Sequence, residues 1–197
     1  MGEIAKVPSP VLGYVAECAR RLREDPADPH GLFARALIFA ALGRATEARE
    51  SLLRLARVAP GHPAVERIQA GESAILEFEA MPTSVLTYVD ECARRLEKNP
   101  LDPDALFARA AILATLGQYQ DALESLTTLA KVAPRYPAVW RLKARLYKDI
   151  GDERTAELCI RAAERFDEEH EQATAPRPSP RAKEADLIRR LILNEGR

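Results

Sequence analysis

The stretch that decides the fold is "LFARAAILATLGQYQDALESL", Leu106–Leu126. Its apolar residues recur at steps of three and four, which places them on one face of an α-helix. Gly117 interrupts this pattern, and glycine supplies the left-handed residue with which many helices end. The sequence therefore predicts one helix near Asp104–Leu116 and another near Tyr119–Val132, which Pro134 ends. Helices joined by so short a turn must lie antiparallel and pack on each other.

The same pattern occurs 74 residues earlier in the chain. Val11–Ala70 aligns with Val85–Ala144 without a gap, and about three positions in five are identical, including the hexapeptide ECARRL. Self-similarity at a fixed offset indicates a repeated structural unit, here an internal duplication. We call Val11–Ala70 the first unit and Val85–Ala144 the second unit. Each unit is predicted to hold three helices in the same order.

A shorter spacing of 34 residues relates Gly117 to Gly151 and Leu106 to Trp140. With this spacing and its order of bulky and small residues, the chain resembles the tetratricopeptide repeat family, whose unit is a 34-residue helix–turn–helix. Three segments carry the resemblance: Leu32, Ala36, Phe39, Gly43, Ala48, Leu52 and Pro60; Leu106, Ala110, Leu113, Gly117, Tyr119, Ala122, Leu126 and Pro134; and Trp140, Ala144, Tyr147, Gly151, Ala156, Ile160 and Ala163. The resemblance implies an all-α fold, a right-handed α-α superhelix of about ten helices.

The domain organisation follows from these repeats. We expect an N-terminal tail over 1–10 and a helical repeat domain over 11–170. Its repeats are predicted near 29–62, 103–136 and 137–168, with a degenerate repeat over 63–100 that begins with a longer helix near Pro63–Ala80. A proline-rich linker over 171–181 and an amphipathic C-terminal helix over 182–197 are predicted to follow.

The composition argues against several classes of function. With a net charge of −1 and 30% charged residues, the chain has no long-range field that would steer it to nucleic acid or an anionic membrane. Binding of single-stranded RNA is therefore disfavoured. No apolar run reaches the roughly 18 residues of a membrane span, and no signal peptide is evident, so we expect a cytoplasmic protein. The excess of arginine over lysine favours a prokaryotic source.

Nothing in the sequence predicts catalysis, a cofactor or a metal site. The three histidines, at positions 30, 62 and 170, lack partners at metal-ligand spacing. The cysteines at 18, 92 and 159 form no C-x-x-C pair, which favours free buried thiols. There is also no glycine-rich phosphate loop and no G-x-S-x-G turn. The sequence therefore predicts a protein that is not an enzyme.

The resemblance implies a binding surface, because the first helix of each tetratricopeptide repeat lines the concave wall of the superhelix. Transferred to this chain, the wall positions are Phe33, Leu37, Phe107, Ala111, Arg141, Arg145 and Lys148. The groove would be apolar first and basic last, which suits a peptide or partner helix with an apolar half and an acidic half. Core packing is the alternative for the two phenylalanines, and a solvated helix face is the alternative for the basic stripe.

The predicted C-terminal helix has several possible binding sites, and these imply different functions. Its apolar residues Leu187, Ile188, Leu191 and Ile192 group on one side, and a helix of this length is marginal alone. It could cap the last repeat, occupy its own groove or a neighbour's, or await an external partner. The favoured function is a protein–protein interaction scaffold, and the alternative is a self-assembly module that forms homo-oligomers through this helix.

Overall fold

A computed structural model describes residues 7–69, 82–136 and 138–174. Within these ranges the protein consists of nine α-helices and contains no strand. The helices are α1 (Ser9–Glu24), α2 (Pro29–Ala41), α3 (Ala45–Val58), α4 (Pro63–Gln69), α5 (Thr83–Lys98), α6 (Pro103–Thr115), α7 (Tyr119–Val132), α8 (Val139–Asp149) and α9 (Glu153–Thr174). The N-terminal tail before residue 7 and the predicted C-terminal helix lie outside the described residues.

Three helical hairpins form the body of the fold. The helices α2–α3, α6–α7 and α8–α9 pack closely in pairs, as predicted. Each pair turns at a glycine with positive φ: Gly43 at 73°, Gly117 at 79° and Gly151 at 83°. At the other end of α2 and α6, Asp28 and Asp102 accept hydrogen bonds from backbone N–H groups of the first turn. Local signals therefore set both ends of these helices.

The two units fold alike. The helices α1, α2 and α3 begin and end 74 residues before α5, α6 and α7, respectively. The small residue of each hairpin is buried at the same place, Ala36 in α2 and Ala110 in α6. A small side chain there lets the second helix of the hairpin approach closely, and the larger residues beside it fill the core.

The units pack against each other reciprocally. Helix α1 packs on α6, α5 packs on α2, and α1 also contacts α5. Because α1 corresponds to α5 and α2 corresponds to α6, the two units use the same surfaces to contact each other. An interface of this kind is called isologous. A single apolar core runs across the junction and includes Val15 and Val89, both fully buried. An ion pair of 2.6 Å between Arg44, directly before α3, and Asp121 of α7 also joins the units.

Two further helices extend the second unit. Helix α8 packs on α7 and α6, and α9 packs on α8, so this hairpin forms the next repeat. Trp140 of α8 stacks on Phe166 of α9, with ring centroids 6.1 Å apart. Helix α9 continues to Thr174, four residues into the segment predicted as the linker over 171–181. The reason is that Glu171, Gln172 and Ala173 are compatible with a helix, and the first proline is Pro176.

The predicted degenerate repeat is described only in part. Its first helix, expected near Pro63–Ala80, is seen as α4 over Pro63–Gln69, and the remainder up to residue 81 lies outside the described residues. Its second helix, α5, packs on α1, α2 and α6. Helix α5 therefore helps to join the two units.

Candidate functional site

A cleft of about 580 Å³ lies between helix α1 of the first unit and helices α6 and α8. We call it the inter-unit cleft. The first unit contributes Leu12, Ala16, Ala19, Leu22, Arg23 and Arg35, and the rest of the chain contributes Ala111, Ala114, Thr115, Leu116, Gly117, Tyr119, Leu142, Arg145, Leu146 and Asp149. Its walls therefore come from segments that are far apart in sequence.

Helix α1 forms one wall because it is amphipathic. Its buried stripe, Val11, Val15 and Cys18, faces the core. The neighbouring positions, including Ala16 and Ala19, face the cleft. Alanine side chains at these positions leave space that larger residues would fill.

The opposite walls come from the second unit and the hairpin that follows it. At the end of α6, Thr115 donates its hydroxyl proton to the carbonyl oxygen of Ala111 at 2.8 Å, so this hydroxyl oxygen can still accept a hydrogen bond. Tyr119 follows after the turn at Gly117. Helix α8 adds the apolar side chains of Leu142 and Leu146 beside charged residues. The cleft therefore combines apolar surface with a few polar groups, as ligand sites in proteins commonly do.

The charge of the cleft is positive, because three arginines line it and Asp149 is its one acidic residue. Arg145 lies 4.0 Å from Asp149 and is 80% exposed. Arg35 is more deeply placed, and its Nε donates to Ser51 Oγ at 3.0 Å. Burial lowers the pKa of the Arg35 guanidinium, and the nearby charge of Arg54 lowers it further. An arginine nevertheless stays protonated at neutral pH, so Arg35 is a fixed positive charge at the cleft.

The comparison with protein families supports the repeat pattern. The sequence model of the tetratricopeptide repeat matches residues 96–124, from the end of α5 through α6 into α7. The match to residues 96–124 and the repeated helical hairpins support the resemblance to the tetratricopeptide repeat family. The matched repeat contains the α6 wall of the cleft and Tyr119. No curated protein and no solved structure matches the chain.

None of the helices in the described part of the chain is both long and apolar enough for a membrane crossing.

Two of the residues expected from the tetratricopeptide repeat pattern meet in the inter-unit cleft, Ala111 of α6 and Arg145 of α8. Three others lie outside its lining. Phe107 is half-buried with its ring centroid 5.3 Å from that of Tyr136. Arg141 is exposed and pairs with Asp167 of α9, and Lys148 is exposed at the end of α8. The expected residues 187, 188, 191 and 192 lie outside the described residues.

The expectation that Phe33 and Leu37 are exposed on the groove wall is wrong, since each is only 2% exposed. The cause is the packing of α1 and α5 on α2, which places both residues in the common core. The ring of Phe33 lies 5.1 Å from that of His62, centroid to centroid. Of the two alternatives for Phe33, the structure shows core packing.

The tetratricopeptide repeat pattern alone did not indicate the contribution of the first unit to the cleft. Arg23 of α1 and Arg35 of α2 line it, and the packing of α1 on α6 joins segments that are far apart in sequence. One signal was available in the alignment of the two units. Positions on the cleft side of α1 differ in charge from their counterparts in α5: Ala16 aligns with Asp90, and Arg23 aligns with Glu97.

The three cysteines all lie in the described part of the chain, and all are buried. Burial raises the pKa of the Cys18 thiol to about 11 and also raises the pKa values of Cys92 and Cys159, so all three are protonated at neutral pH. Within the described ranges, no group of three or more metal-binding side chains occurs. The cleft itself offers arginines, an aspartate, hydroxyl groups and apolar surface.

Proposed function

We propose that this protein is a non-catalytic scaffold that binds a segment of another protein in the inter-unit cleft. Tetratricopeptide repeats generally mediate protein–protein interactions. The observation that carries the proposal is the cleft itself, an open concave site of about 580 Å³ with apolar and positively charged walls. Its volume is in the range of sites that enclose several side chains, so it suits a short segment of the partner.

The chemistry of the cleft favours a partner segment with acidic and apolar residues. Arginine binds carboxylates with two parallel hydrogen bonds, and such pairs are stronger when they are partly shielded from water. Leu12 and Leu142, both half-buried, offer apolar contacts for the neighbouring side chains of the partner. The exposed Arg145 at the edge would add attraction for a negative charge and increase the rate of association.

A displayed library of random 12-residue peptides tests this function. Peptides selected on the wild-type protein are expected to share at least one Asp or Glu beside apolar residues. Their affinity for the Arg145→Glu variant should fall about tenfold or more, because reversal of this charge repels the peptide. Arg161→Glu is the matched control, since Arg161 is exposed on α9 and does not line the cleft. Selected peptides without acidic residues, or equal losses in both variants, would contradict the proposal.

A further inference from the structure

The two units have the same helices, yet the groove face of only one of them is open. In α6 and the following turn, Ala111, Thr115 and Leu116 are half-exposed and line the inter-unit cleft. Their counterparts in the first unit are Leu37, Ala41 and Leu42, and all of these are buried. In the part of the chain that the structure describes, the first unit therefore has no equivalent open surface at these positions.

The positive charge of the inter-unit cleft is repeated only in part between the two units. Arg23 aligns with Glu97, so it has no basic counterpart, and Arg145 lies one residue beyond the second unit. Tyr119, which lines the cleft, aligns with Ala45. The two units thus differ at the positions that give the cleft its charge and its polar groups.

Arg35 is the exception, because its counterpart Arg109 is also an arginine. The two side chains have different surroundings. Arg35 lines the inter-unit cleft, and its Nε is held by Ser51, which is itself fully buried. Arg109 does not line the cleft, and its Nε is buried without a hydrogen-bond partner among the described residues. Of this aligned pair, only Arg35 therefore lines the cleft.

We infer that the chain has one partner site to which both units contribute, and that Arg35 of the first unit binds the carboxylate of the partner segment. This inference rests on the proposed function. The bond to Ser51 uses Nε and leaves the two terminal nitrogens of Arg35 available for a carboxylate. A partly buried cation gains more from such a pair than an exposed one, since water screens it less. One acidic segment is bound per chain, although the fold contains two similar units.

Isothermal titration with a matched pair of peptides tests the inference. One peptide is an acidic sequence selected on the wild-type protein, and the other has Asn or Gln in place of each Asp or Glu. The wild-type protein should bind one acidic peptide per chain and prefer it to the amide peptide by about tenfold or more. Arg35→Gln should lose this preference but bind the amide peptide as the wild-type protein does. Arg109→Gln, the matched control, should keep the preference.

The outcomes separate this inference from the proposed function. If Arg35→Gln keeps the preference, if Arg109→Gln loses it equally, or if two peptides bind per chain, the role of Arg35 in a single site is overturned. A loss of affinity for both peptides in Arg35→Gln would indicate structural damage and would also count against the inference. If Arg145→Glu weakens binding in the same experiments, the proposed function still stands. If the acidic peptide binds all variants equally, both proposals fail.

Discussion

At the scale of single residues, the two units differ most clearly beside the first helix of each hairpin. In the second unit, Tyr136 donates a hydrogen bond to Asp104 at 2.8 Å. In the first unit, His30 and His62 occupy these two positions. His62 Nδ1 accepts a hydrogen bond from a backbone N–H at 3.2 Å, which requires the neutral ring. Burial lowers the pKa of His62 below its usual 6.5, and the charge of His30 lowers it further.

This difference predicts a pH-dependent stability. Because the pKa of His62 is lower in the folded protein than in the unfolded chain, His62 stabilises the fold fully above about pH 6.5 and less as the pH falls. The Tm should therefore decrease between about pH 7.5 and about pH 5.5. Differential scanning fluorimetry at a series of pH values measures this change.

The second unit supplies the control for the pH prediction. The double variant His30→Asp, His62→Tyr introduces the pair that the second unit has at these positions. Its Tm should change less over the same pH range, because neither new side chain titrates near pH 6.5. Equal pH dependence in the variant and the wild-type protein would show that the histidines do not cause it.

At the scale of helices and turns, replacing a glycine by alanine should lower or raise the free energy of unfolding according to the backbone conformation of that glycine. Gly117 has φ of 79°, where a side chain is strained, so Gly117→Ala should lower the free energy of unfolding by about 1–2 kcal/mol. Gly13 lies inside α1, and a Cβ there would meet no atom within 4 Å. Gly13→Ala should therefore raise the free energy of unfolding by about 0.5–1 kcal/mol. Urea denaturation of both variants measures the two changes, and a loss in both would contradict this account.

The helices themselves could be predicted from the sequence, because their signals are local. Proline at the start of α2 and α6, aspartate caps and the turn glycines all lie within a few residues of the helix ends that they set. The neighbours of each helix could not be predicted in the same way. The buried stripe of α1 shows that this face is covered, but any apolar surface of suitable shape could cover it.

At the scale of the whole molecule, the junction between the units depends on apolar packing and on the ion pair of Arg44 with Asp121. The two side chains of this pair are 19% and 30% exposed, so water screens it only in part. Arg44→Gln, which introduces the residue of the second unit at this position, removes this pair together with the pair between Arg44 and Glu47, and should lower the free energy of unfolding by about 1 kcal/mol. Arg20→Gln removes exposed pairs within α1 and should change it by less than about 0.5 kcal/mol. Equal effects would contradict the proposed contribution of the junction pair.

The candidate site was predictable only where it follows the tetratricopeptide repeat pattern. Ala111 and Arg145 were expected on the groove wall and do line the cleft. Phe33 was misplaced because the pattern does not show that α1 and α5 pack on α2. Arg35 was missed because the family's wall positions do not include it, and only the reciprocal packing of the units places it at the cleft.

The most direct test of the account is a titration of the isotope-labelled protein with a selected acidic peptide, followed by NMR. We predict that the largest chemical-shift changes occur together on α1, at the end of α6 and on α8, including Ala16, Ala111 and Arg145. They should saturate at one peptide per chain. Changes confined to the outer helices α3 and α7, or changes on α6 and α8 without any on α1, would contradict a site formed by both units.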